Sequence, residues 1–148
     1  MTRWLSEDEQ RAWRAFVSLQ AKLNAQLNRE LQAESDLSLA DFEVLVHLTD
    51  RDDARARSFE LASEMEWEKS RLSHHLARMQ RRGLIDRVGC PEDARGSYIE
   101  LTAEGRHAIE HATPGHVSTV RRLIFDQLTP EQVQALRTIS ETVLAQLD

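Results

Sequence analysis

The stretch from Ser6 to Ser35 contains no glycine and no proline, and it constrains the fold more than any other feature. Ser6-Glu7-Asp8-Glu9 has the form of a capping box: the serine caps a helix start and Glu9 reaches back to it. Behind it, Trp13, Phe16, Val17, Leu19, Leu23, Leu27 and Leu31 fall mostly at steps of three and four. That spacing predicts one helix with one long apolar face. At about 1.5 Å per residue it is a rod of roughly 40 Å. A chain of 148 residues has too little of itself to cover such a face.

Further start signals divide the chain. Ser38-Leu39-Ala40-Asp41 opens a second helix, with Phe42, Leu45, Val46 and Leu48 apolar. It ends near the charged segment 50–57, read as a solvated loop. Ser58 is placed to cap a short third helix through Phe59, Leu61, Ala62 and Met65. A fourth helix is expected from about Glu68 to Arg82, with Leu72, Leu76 and Met79 on its apolar side. Gly83 suits the left-handed position just past its end. The hydrophobic period then changes. Residues 84–90 and 97–102 read as two short strands, joined by turn residues over 91–96. Thr102 caps the next helix, which Pro114-Gly115 is expected to kink or break. Thr129-Pro130-Glu131-Gln132 starts the last helix. Its apolar positions are Val133, Leu136, Ile139, Val143, Leu144 and Leu147.

Charge is distributed unevenly. Between Lys69 and Arg87 stand six cations, Lys69, Arg71, Arg78, Arg81, Arg82 and Arg87, against the single anion Asp86. That segment carries +5 in a chain of net charge −6, so the remainder carries −11. A basic patch on an acidic body suits a polyanion; the plainer alternative is a solvated arginine-rich helix face.

A short helix, a tight turn, a basic helix and a hairpin together make a winged helix-turn-helix. The fold class expected is α+β, mostly α, with long N- and C-terminal dimerisation helices. One domain spans 1–148: residues 1–35 and 103–148 dimerise, and 38–102 form the winged lobe. An α-helix fits the major groove with its first turns toward base edges. The candidate DNA-binding residues are therefore Lys69, Ser70, Arg71, Ser73, His74, His75 and Arg78. Arg81 and Arg82, at the far end, suit phosphate or solvent. At the hairpin tip, Arg95 is a candidate for the minor groove, where the potential is most negative. Asp93 beside it supports the wing by pinning an arginine. Trp67, in the turn, is expected to pack under the basic helix, with its indole N–H able to reach phosphate as the alternative. Trp13 could line a ligand pocket, but its spacing with Phe16 and Val17 better suits a dimer core.

The sequence resembles the MarR family of bacterial transcription regulators, named for multiple antibiotic resistance. Three stretches carry the resemblance: Lys69-Ser70-Arg71-Leu72-Ser73-His74-His75-Leu76 with Arg82-Gly83-Leu84-Ile85-Asp86-Arg87; Asp93-Ala94-Arg95-Gly96 leading to Leu101-Thr102-Ala103-Glu104-Gly105; and Leu128-Thr129-Pro130-Glu131-Gln132. It implies a homodimer built from the terminal helices, two winged lobes on double-stranded DNA, and repression. It also implies a small effector, often phenolic, that releases the DNA. A two-fold dimer predicts a pseudo-palindromic operator.

Other features point elsewhere. His107-Ala108-Ile109-Glu110-His111 has the letters of a metalloprotease motif and metal-ligand spacing. No distal ligand or substrate cleft is legible, so an enzyme is not expected. A metal-responsive site would need His107 and His111, with His47, His116 or Glu43 added. Its plainer alternative is a solvated helix face, with His116 at the dimer interface. Cys90 is the single cysteine, so no intrachain disulfide forms, which fits a reducing cytoplasm. Redox sensing at Cys90 and a winged helix used as a protein-interaction module are the remaining alternatives. No cofactor is called for. No apolar run approaches the length of a membrane span, and no apolar leader follows the acidic N-terminus.

Overall fold

The computed structural model describes residues 1–90 and 93–148, with the backbone alone at 90 and 93–96. Helix α1 runs Glu7–Ser35. Its capping box is closed: Ser6 Oγ accepts from the Glu9 amide at 3.1 Å, and Glu9 Oε1 accepts from the Ser6 amide at 2.8 Å. The helix stops at Asp36, whose φ of 59° is left-handed. Helix α2, Leu39–Thr49, starts on a second box in which Asp41 and Ser38 exchange bonds of 2.9 Å.

The segment read as a solvated loop contains a strand, β1, at Arg55–Arg57. It pairs antiparallel with the C-terminal part of the second hairpin strand, Ala56 facing Ile99. Three residues with one small apolar side chain between two arginines give too weak an alternation to mark a strand locally. The pairing comes from a partner more than forty residues away. Helix α3, Ser58–Met65, follows directly, so Ser58 is its first residue and not its cap. Its start is held instead by the Arg57 amide donating to Glu60 Oε1 at 3.0 Å.

Helix α4, Lys69–Arg81, ends as the glycine indicated. Gly83 has φ +80°. Its amide donates to Gln80 O at 2.9 Å, and the Leu84 amide donates to Met79 O at 3.1 Å. Those two bonds make a Schellman stop, which folds Leu84 back on the helix. Strands β2, Ile85–Cys90, and β3, Asp93–Leu101, complete a three-stranded antiparallel sheet of order β1-β3-β2. Strand β3 already begins at Asp93, inside the stretch read as a turn over 91–96.

Thr102 joins three elements. Its hydroxyl donates to Gly83 O at 2.6 Å and accepts from the Gly105 amide at 2.9 Å. Gly105 lies so close to Leu84 that a Cβ would sit 2.1 Å from the Leu84 carbonyl oxygen. The absence of a side chain there fixes where helix α5, Ala103–Leu123, leaves the wing. Pro114 does not break α5, which continues through it. Proline removes one intrahelical donor and crowds the carbonyl one turn earlier, and the helix absorbs both. Gly115 beside it lets Glu34 of α1 approach: an added Cβ would meet Glu34 Oε2 at 2.5 Å. The real interruption comes later, at a 3₁₀ turn over Phe125–Gln127. Helix α6, Pro130–Leu147, then starts on the box formed by Thr129 and Gln132.

The core lies in the winged lobe. Leu45 and Leu48 of α2, Leu61 of α3, Leu72, Leu76 and Met79 of α4, Ile85 and Ile99 are all fully buried. The long helices contribute little to it. Only Leu27 and Leu31 of α1 are buried, and no residue of α6 is. Glu30 of α1 grips Arg122 of α5 with bonds of 2.6 and 2.8 Å. Among the described residues, no helix is long and apolar enough to cross a membrane.

Candidate nucleic-acid interface

Helices α3 and α4 meet through a turn at Glu66, which is left-handed with φ 55°. The Trp67 amide closes that turn on Ala62 O at 3.0 Å. Helix α4 therefore begins with free backbone donors and an exposed cationic face. Lys69, Ser70, Arg71, Ser73, His74 and Arg78 are all exposed, while Leu72, Leu76 and Met79 point into the core.

His75 departs from the expectation. It is buried rather than on the DNA-facing surface. Its Nε2 lies 2.9 Å from Asp41 Oδ1 and has no other partner. The spacing held the signal: position 75 is three after Leu72 and four before Met79, inside the buried stripe. Arg82 also differs from its reading. It donates to Asp41 Oδ2 at 2.9 Å and pairs with Asp36, so it ties α4 to α2. Asp41 is thus a buried anion under the basic helix. Burial alone would raise its pKa, but the His75 contact and the Ser38 amide and hydroxyl outweigh it, leaving the carboxyl at about 2.

The remaining contacts stiffen the same surface. The guanidinium of Arg71 stacks over the Trp67 ring at 3.9 Å. Arg78 Nη2 lies 3.2 Å from His75 Nδ1. Arg87 of β2 donates to Ser73 O at 3.0 Å, fastening the wing to α4. The side chains of Asp93, Arg95 and Cys90 lie outside the described residues.

The other candidate ligands do not gather. His107 and His111 are exposed on α5. His47 pairs with Glu64 at 3.0 Å. His116 stacks on Phe42 within the same chain at 4.5 Å, and burial lowers its pKa. Among the described residues, no cluster of three His, Cys, Asp or Glu side chains could hold a metal ion.

Comparison with known proteins supports the same frame. Residues 35–96 match the family model described as MarR family. AbsC from Streptomyces coelicolor, a MarR family transcriptional regulator, is 36% identical over 99% of this chain and 98% of its own, with a TM-score of 0.91. This chain belongs to the MarR family. A second MarR-family regulator of that organism, Sco3205, was solved in complex with DNA. It is 37% identical over 99% of this chain and 92% of its own, with a TM-score of 0.93. The repressor YetL of Bacillus subtilis is 36% identical over 105 residues, 71% of this chain and 63% of YetL. The winged helix described above is therefore the MarR fold. Asp41 of α2 and Arg87 of β2 brace this surface through His75 and Ser73, contacts that the sequence reading did not single out. Their partners lie on other elements, so no local pattern marks them.

Proposed function

We propose that the chain is a sequence-specific DNA-binding transcription regulator, a homodimeric repressor of pseudo-palindromic operators, and not an enzyme. The observation that carries this reading is the exposed face of α4. Lys69, Ser70, Ser73 and His74 are exposed on a helix whose opposite side is locked in the core. Sco3205, a 37% identical relative solved in complex with DNA, supports DNA as the partner. Arg71 and Arg78 flank the face, and Arg95 on the wing would enter the adjacent minor groove, supported by Asp93. The dimer rests on α1 and α6, whose apolar faces are exposed in one chain. The family resemblance adds a small, phenolic-type effector that releases the DNA. A regulator of chromosomal DNA works in the cytoplasm.

Selection of binders from a random pool of double-stranded DNA tests this reading. The expected product is a near-palindrome bound by two chains, its half-site centres about 34 Å apart, one helical turn. No enrichment, or one chain on a single half-site, overturns it.

A further inference from the structure

Beneath the recognition helix, four side chains from three segments form a continuous path. Asp41 in α2 faces His75 Nε2 at 2.9 Å. The His75 ring meets Trp67 edge-on, centroids 5.5 Å apart at 66°. Trp67 in turn lies under the guanidinium of Arg71 at 3.9 Å. His75 Nδ1 also faces Arg78 Nη2 at 3.2 Å. A guanidinium can only donate, so Nδ1 is the acceptor and the ring proton belongs on Nε2, toward Asp41. Arg71 and Arg78 are seven residues apart, so they share one flank of α4, with His75 between them.

We propose that Asp41, His75 and Trp67 are a positioning relay that holds Arg71 and Arg78 pre-oriented toward the phosphates of one flank of the bound duplex. The inference rests on the DNA-binding reading above and names the residues that set its affinity. A free arginine loses rotamer entropy when it fixes on a phosphate. One already stacked on an indole has lost much of it before binding. Stacking also leaves the in-plane N–H groups of Arg71 open for a bidentate contact. Trp67 therefore acts through Arg71 and touches no DNA itself in this scheme.

The test is a double-substitution cycle on Trp67 and Arg71, read by anisotropy on the duplex enriched from the random pool. Trp67→Leu keeps an apolar side chain but removes the aromatic face. It is expected to weaken binding about tenfold, with the salt slope reduced by about one. Trp67→Phe keeps a ring and recovers most of that loss. On an Arg71→Ala background, Trp67→Leu costs nothing further. Urea unfolding of each variant separates these losses from loss of fold. Multiplying losses in the double variant, or an unaltered Trp67→Leu protein, overturns the relay while leaving the DNA reading intact. A wild-type chain that enriches no duplex overturns both.

Discussion

Ile139→Asp together with Val143→Asp is expected to leave a folded monomer that binds its operator at least a hundredfold more weakly. The reason is the state of α6. In one chain Ile139 is 62% exposed and Val143 53%, and Leu136, Leu144 and Leu147 are also exposed. An 18-residue helix with none of its residues buried lacks the packing of an apolar face that supplies most helical stability in proteins. On α1, Trp13, Phe16, Val17 and Leu19 are exposed as well, and within the chain Trp13 meets Phe16 at 6.2 Å. Beside them an open cavity of about 690 Å³ is lined by Leu19, Leu23, Leu123 and Ile124, among others. Exposed apolar faces of this kind mark an interface. Two carboxylates placed in it would be buried unpaired, at a cost of several kcal/mol. On the monomer the same changes lie on the surface and cost about 0.5 kcal/mol or less each. DNA affinity falls because a two-site contact becomes a one-site contact, and linkage of two sites is worth about 10² to 10⁴. Sedimentation equilibrium reads the mass and anisotropy reads the affinity. A variant that stays dimeric would remove α6 from the interface.

Asp41→Asn is expected to destabilise the fold by about 3 kcal/mol at pH 7. The carboxylate is buried and accepts from Ser38 N at 2.9 Å and Arg82 Nη1 at 2.9 Å, with His75 Nε2 at the same distance. Removing one member of such a cluster leaves the others unpaired, which costs about 3–5 kcal/mol for a fully buried pair. Arg82 is 40% exposed, which places the value at the low end. The pH dependence has a definite sign. The folded carboxyl titrates at about 2, below the ordinary 3.8. Its stabilisation is therefore fully present above about pH 4 and is lost as pH falls toward 2. The depression corresponds to about 2 kcal/mol. Urea unfolding at pH 7 and pH 3 should show the gap between wild type and variant narrowing on acidification. A gap of constant size would place the stabilising role of Asp41 outside its charge.

The parts of the fold that depend on neighbouring residues were legible in the sequence. Ser6, Ser38, Thr102 and Thr129 each cap the helix they were expected to cap, because a cap is a bond over three residues. Gly83 stops α4 for the same local reason. The apolar stripe of α4 and the basic surface opposite it follow from helical period. What escaped depends on distant partners. Strand β1 exists because Ala56 is drawn against Ile99. The spacing of His75 puts it in the buried stripe, but its partner Asp41 stands thirty-four positions earlier and no local pattern names it. Arg82 stands near the basic face in sequence but turns to Asp36 and Asp41 in space. Pro114 looked like a break because its local preference is clear, yet packing along α1 carries the helix through it.

The most direct measurement is fluorescence anisotropy with the intergenic DNA beside this chain's own gene, against a scrambled duplex of equal length, at 50 and 200 mM salt. With about four phosphates neutralised by each lobe of a dimer, affinity for the native duplex should fall by about 10³ or more between those concentrations. The native duplex should be preferred at both. Equal, weak binding to the two duplexes that ignores salt would contradict the account, because the exposed cations of α4 would then have no polyanion to meet.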